Sequence, residues 1–237
     1  MKIIFLNVWH GNQKEQLKEF ITEHRDTTDI FCFQESHYPA YEELKQELFS
    51  DFENVQTLVK KKKLGETDLS MLWSNETFYK KDFTLAKETV LFEDNYECGL
   101  GLVTHFVTGD KRLVVGNIHG FPWPGEKLDT EIRLYQTQTI LEYFDKENGT
   151  KVIGGDFNLL PDTRSIDLFA EGGYQNLIKN FSIETTRNEL SWSKYPNNPK
   201  QLYADFTFVS PDVKVKSFEV PKNEVSDHLP MILEFDL

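Results

Sequence analysis

Lys151-Val152-Ile153-Gly154-Gly155-Asp156-Phe157-Asn158 is an apolar run that stops at two glycines and then offers an acid and an amide two residues apart. Lys151 to Gly154 reads as a buried strand, and side chains two apart on extended backbone point the same way. The glycines allow close backbone approach, as a crowded site requires. Asp and Asn at a strand end are also ordinary turn formers, so this stretch needs support from elsewhere in the chain.

Other apolar runs end in the same manner. Lys2 to Val8 carries Asn7 at its end, and Asp29 to Gln34 is followed by Glu35. Leu113 to His119 closes on an imidazole, and Val225-Ser226-Asp227-His228-Leu229-Pro230 places an acid and an imidazole just before a final apolar strand. Residues where sheet strands end face an open cleft in layered folds. Asp205 lies within the apolar run Leu202 to Val209. An acid there is costly unless paired or ligating, and His228 is the chosen partner; the alternative is a core Asp capping backbone amides.

Between these landmarks the periodicity predicts surface helices over 12–24, 39–49 and 130–144 and a short one over 166–170. Strands are expected over 55–59, 69–73, 83–92, 99–107, 202–209, 213–220 and 229–235. Strand–helix–strand, a run of strands, then helix and strands again predicts a mixed α/β or α+β sheet architecture, with a β-rich sandwich as the alternative. The 237 residues show no linker or repeat and are read as one domain spanning 1–237. Nineteen Phe supply bulk for a large core.

The net charge of −13 disfavours extended contact with polyanions, although a metal would neutralise catalytic carboxylates, so a nuclease is not excluded. Cys32 and Cys98 are the two cysteines, with Cys32 expected as a buried thiol. No apolar run reaches the length of a membrane span, and the first residues are too short an apolar stretch for a signal. These features are read as cytoplasmic, with no stable membrane insertion. Lys60-Lys61-Lys62-Lys63 is expected at a solvated hairpin tip or guarding an edge strand.

Taken in order, Asn7, Gln34-Glu35, His119, Gly155-Asp156-Phe157-Asn158, Ala204-Asp205-Phe206 and Ser226-Asp227-His228 resemble the signature of the endonuclease/exonuclease/phosphatase superfamily, which includes deoxyribonuclease I-like enzymes and sphingomyelinases. Arg133-x-x-Gln136 and Ser191-Trp192 look like lesser landmarks of it. The resemblance implies a deoxyribonuclease I-like four-layer αββα sandwich of two mixed β-sheets flanked by helices, with the active site at one end. It implies a Mg²⁺-dependent phosphoesterase, Mn²⁺ being the other candidate metal, with Glu35 the principal ligand and Asn7 and Asp227 close by. Asp156 and Asn158 would orient or activate water and hold phosphate. His228, paired with Asp205, would act on the scissile phosphate, with His119 as the second imidazole. Relatives often read Ile-Asp-Tyr-Ile where this chain has Ala204-Asp205-Phe206-Thr207; the carboxylate is kept. The implied substrate is a phosphodiester, in nucleic acid or a small molecule or headgroup. The alternatives are phosphomonoester hydrolysis of a soluble metabolite and a non-catalytic binding module on the same fold. Oligomeric state is not legible in the residues.

Overall fold

The computed structural model describes residues 1–62, 70–193 and 197–237. Two six-stranded sheets form the centre. The first comprises β1 (Lys2–Asn7), β2 (Ile30–Gln34), β3 (Phe52–Lys62), β4 (Ser70–Lys80), β11 (Lys214–Glu219) and β12 (Met231–Asp236), in the order β11-β12-β1-β2-β4-β3. The second comprises β5 (Thr84–Leu91), β6 (Leu100–Thr108), β7 (Lys111–His119), β8 (Thr150–Asp156), β9 (Gln175–Asn176) and β10 (Asp205–Val209), in the order β5-β6-β7-β8-β10-β9. Both sheets are mixed: β1 and β2 pair in parallel, as do β7 and β8, and the other pairings are antiparallel.

Period-two burial explains the layering. On β1, Ile3 and Phe5 join the core shared with the second sheet, whereas Ile4 and Leu6 face Leu17 and Phe20 of α1 (Lys14–His24) and Tyr41 and Leu44 of α2 (Pro39–Leu48). The second sheet is covered by α3 (Glu131–Asp145) and α4 (Arg164–Glu171), with Ile140, Phe144, Ile166 and Phe169 buried. Short α5 (Leu177–Asn180) and α6 (Glu189–Trp192) complete the chain. This is the deoxyribonuclease I-like arrangement of two helix-flanked sheets.

Buried amides tie the two sheets together just beneath one end. Gln34 Nε2 donates to Asn117 Oδ1 at 2.7 Å, and Asn117 Nδ2 donates to the carbonyls of Phe33 at 3.1 Å and Glu76 at 3.0 Å. Asn75 Nδ2 donates to Asn117 O at 2.8 Å. Each such bond contributes only about 1 kcal/mol net, but an unmet partner costs about 1–3 kcal/mol, so the network fixes sheet register more than it adds stability. The glycine pair serves the same region. A Cβ on Gly154 would lie 2.8 Å from the Phe5 ring, and one on Gly155, at φ +131°, would lie 2.1 Å from Ile118 O.

Two sequence expectations are corrected. The strand expected over 202–209 begins only at Asp205, because Thr186 reaches in beside it: Thr186 Oγ1 accepts from the backbone N–H groups of Ala204 and Asp205. Of the lysine run, Lys60 is exposed on edge strand β3, but Lys61 is buried. Its ammonium donates to the carbonyls of Phe92 at 2.7 Å, Asn95 at 3.0 Å and Cys98 at 2.9 Å, and to that of Gly99. Alternation along the strand turns this one side chain inward, where it anchors the 92–99 loop. Lys63, like Leu69 of the expected 69–73 strand, lies outside the described residues. Cys32 and Cys98 are both buried free thiols. No helix among the described residues is long and apolar enough to cross a membrane.

Candidate active site

Strand pairing gathers the polar residues at one end of both sheets. Asn7 pairs with Gln34, so Asn7 and Glu35 lie together; His119 pairs with Asp156, and Asp156 with Asp205. Asp205 starts its strand where its neighbours end, yet antiparallel pairing delivers it to the same place. The Val225 to Pro230 loop enters before β12 and brings Asp227 and His228. Glu35, His119, Asp156, Asn158, Asp227 and His228 line a single pocket, with Asn7 and Asp205 directly behind.

Distances define who serves whom. His228 Nδ1 is 2.9 Å from both oxygens of Asp205, which leaves Nε2 facing the pocket, 3.7 Å from Asp156 Oδ2 and 4.0 Å from Asp227 Oδ1. His119 Nε2 lies 3.8 Å from both Glu35 Oε1 and Asp156 Oδ2. Asn7 Nδ2 donates to Glu35 Oε1 at 3.1 Å and to Asp156 Oδ2 at 3.2 Å, while its oxygen accepts from Trp9 N at 3.0 Å. Asp156 Oδ1 accepts from Asn158 N at 2.9 Å. Asn158 sits at φ 54° because its N–H and that of Phe157 both turn onto Ala204 O.

Backbone strain marks the same place. Among the described residues eight non-glycines have positive φ, and five of them, Trp9, His10, Glu35, Lys127 and Asn158, line this pocket. Such conformations cost about 1–3 kcal/mol each and persist where surroundings impose them, commonly at functional sites.

Three basic side chains of the pocket were not foreseen. His10 Nε2 is 3.1 Å from Glu35 Oε2, Lys127 Nζ donates to Asn158 Oδ1, and Arg187 Nη2 is 3.6 Å from Asp227 Oδ2. Val8-Trp9-His10-Gly11 directly after Asn7 was the available signal for His10. Lys127 sits in the loop after His119, where no hydrophobic period announces its burial. Nothing in the sequence around Arg187 marks it.

Electrostatics assign protonation states. Burial by itself would lower the His228 imidazole, but the charges of Asp205, Asp156 and Asp227 and the bond to Asp205 outweigh it and raise it to about 9. Burial would likewise raise Asp156, yet His228, Lys127, His119 and Arg187 hold it below the ordinary carboxylate range. Burial dominates at His10 and His119, lowering both, and at Glu35, raising it. The surroundings thus favour a charged His228 and an ionised Asp156, and leave half-buried Glu35 short of compensating charge.

Linkage gives this a measurable sign. With an ordinary value of 6.5 and a folded value near 9, His228 adds stability that is complete below pH 6.5 and lost as pH rises through 9. Lys127 and Lys61, both lowered by burial to about 8, act in the opposite sense, and only above pH 8. Urea midpoints in EDTA should therefore fall between pH 6.5 and 8. Asp205→Asn should flatten that slope, and an unchanged slope would remove Asp205 as the cause.

Asp156, Asp205 and His228 offer ligand atoms within 4.8 Å of one another. Geometry assigns that trio to hydrogen bonding, since both Asp205 oxygens are spent on His228 Nδ1. Glu35 and Asp227, with hard oxygen donors in the pocket and burial opposing the Glu35 charge, fit a divalent cation better.

A model of the Endonuclease/Exonuclease/phosphatase family matches residues 4–228. The chain belongs to that family. Among solved structures it resembles a family protein from Bacteroides vulgatus, at 17% identity and a TM-score of 0.76, covering 100% of this chain and 98% of that one. It also resembles a mannosyl-6-phosphatase from Bacteroides thetaiotaomicron, at 17% identity and a TM-score of 0.71, covering 100% of both chains. A third is TDP2 from D. rerio complexed with a single strand DNA product, at 15% identity and a TM-score of 0.71, covering 100% of this chain and 99% of that one. At these identities the likeness is one of fold. No curated protein matches the chain.

Proposed function

We propose that this chain is a metal-dependent hydrolase that cleaves a phosphate ester by in-line attack of water, with Mg²⁺, or Mn²⁺, as its metal. The observation that carries the reading is the arrangement of Asp156 beside His228 and, through Asn7, beside Glu35, all facing one pocket.

Glu35 would hold the cation, with Asp227 and Asn7 beside it; Asn7 would have to offer the oxygen that Trp9 N now occupies. The bound cation would draw charge from the phosphoryl oxygens and the leaving oxygen. Asn7 and His10 fix the Glu35 carboxylate from two sides. Asp156, ionised and held by Asn158 N and Asn7, accepts a proton from the attacking water. The carboxylates around His228 favour its protonated form, which suits it to donate and leaves the base role to Asp156. Its Nε2–H faces the pocket and donates to the oxygen on which charge grows, while Asp205 keeps the ring aimed and the charge stable. Neutral His119 adds a further donor. The two free thiols suit a reducing compartment, and the enzyme is read as cytoplasmic.

The sequence places a phosphodiester first and a monoester of a soluble metabolite second. A panel tests the class directly: plasmid DNA, single-stranded RNA, sphingomyelin, inositol phosphates, mannose 6-phosphate and bis-p-nitrophenyl phosphate, each with Mg²⁺, Mn²⁺ or EDTA. Metal-dependent release from at least one ester is expected. Silence across all of them would end the hydrolase reading.

A further inference from the structure

Lys127 has no part in the scheme above, yet the fold takes trouble to place it. It is 6% exposed, has φ 58°, and its backbone is clamped by Lys127 N to Pro124 O at 3.4 Å and Leu160 N to Lys127 O at 2.9 Å. The buried Arg133 guanidinium secures the surrounding loop through the carbonyls of Leu128 at 2.6 Å and Pro124 at 2.7 Å. The ammonium bonds Asn158 Oδ1 and lines the pocket.

Arg187 enters the same pocket from the strand-like segment bridged to His228. Among the described residues its buried Nε has no hydrogen-bond partner and Asp227, at 3.6 Å, is its only acid within 4 Å. Lys127 and Arg187 are close enough to repel one another. A buried ammonium and a half-buried guanidinium whose Nε is shut off from water, set around one cavity, are costly unless an anion fills it.

The charge count points the same way. Glu35, Asp156, Asp205 and Asp227 face His228, Lys127 and Arg187, one net negative charge that a divalent metal converts to one net positive. A diester carries one negative charge and buries one more oxygen in a link; a terminal phosphate carries two and leaves three oxygens open to donors.

We propose that Lys127 and Arg187 clamp the non-bridging oxygens of a terminal phosphate, so that the pocket favours a phosphomonoester dianion over a diester. This rests on the phosphoesterase reading and chooses the substrate class within it. Nothing beyond hydrolysis is involved: water's oxygen bonds to phosphorus, the ester oxygen leaves with a proton, and inorganic phosphate is the product that the clamp also binds.

The test uses metal-loaded wild type, Lys127→Met and Arg187→Gln. Inorganic phosphate should raise the melting point of wild type, and much less that of either variant. The ratio of kcat/KM for p-nitrophenyl phosphate to that for bis-p-nitrophenyl phosphate should fall roughly tenfold or more in each variant. A purely structural role would depress both esters together and leave the ratio and the phosphate shift unchanged, and that result overturns the proposal. If Lys127→Met does not fold, Arg187→Gln decides by the same two readouts. If wild type cleaves neither ester, the wider substrate panel judges the hydrolase reading, while the phosphate shift still judges the clamp on its own.

Discussion

His228→Ala lowers turnover by roughly three orders of magnitude or more and leaves the fold intact. The size follows from two losses at once. A donor aimed at growing negative charge is removed, worth about 10²–10³ by itself, and so is the proton supplied to the leaving oxygen, worth about 10²–10⁴. The two overlap, because one nitrogen does both, so the factors do not multiply. Asp205, now without its cationic partner, remains buried at 2% exposure. The loss of that pairing costs stability, and far-UV circular dichroism with a urea midpoint separates folding from catalysis. His228→Gln should be nearly as inactive, since an amide can donate but carries no charge or transferable proton. Turnover within tenfold of wild type in folded His228→Ala would remove the imidazole from the reaction.

Glu35→Gln abolishes the rise in melting point that Mg²⁺ gives to wild type, and lowers activity at ordinary metal concentrations by roughly a hundredfold or more. Ligands that bind only the native state stabilise it in proportion to saturation, so the melting shift reports the site without any substrate. The variant has a second signature. Burial raises the Glu35 acid, so in EDTA the ionised side chain opposes folding. Metal-free Glu35→Gln should therefore melt no lower than metal-free wild type, even though the metal-loaded order is reversed. A variant that loses stability in EDTA but keeps its Mg²⁺ response would assign Glu35 a structural role and place the cation elsewhere.

How much of this was legible follows from where each residue sits. Asn7, Glu35, His119 and Asp156 stand where β1, β2, β7 and β8 end, and an apolar run that stops at a polar residue is visible in one dimension. The layered architecture was visible too, through alternating runs interrupted by helical spacing. Asp205 was placed inside its strand, because nothing in Leu202-Tyr203-Ala204 announces that Thr186 will occupy the backbone there. His10, Lys127 and Arg187 escaped for a related reason. The first two owe their positions to left-handed backbone imposed by tertiary contacts, and the third to a bridge with His228, none of which has a sequence period. Lys61 shows the limit of reading charge runs. Its neighbour Lys60 is exposed while its own ammonium is capped by four carbonyls, a difference created by strand alternation and a loop more than thirty residues away.

The most direct measurement is hydrolysis by metal-stripped wild type in ¹⁸O-labelled water, before and after Mg²⁺ or Mn²⁺ is restored, with released phosphate or phosphate ester analysed by mass. Turnover that appears only with the cation, and one solvent oxygen in each product phosphoryl group, is the predicted result. Hydrolysis equally fast in EDTA, or product whose phosphoryl group carries no label, would contradict attack by water at a metal-bearing pocket.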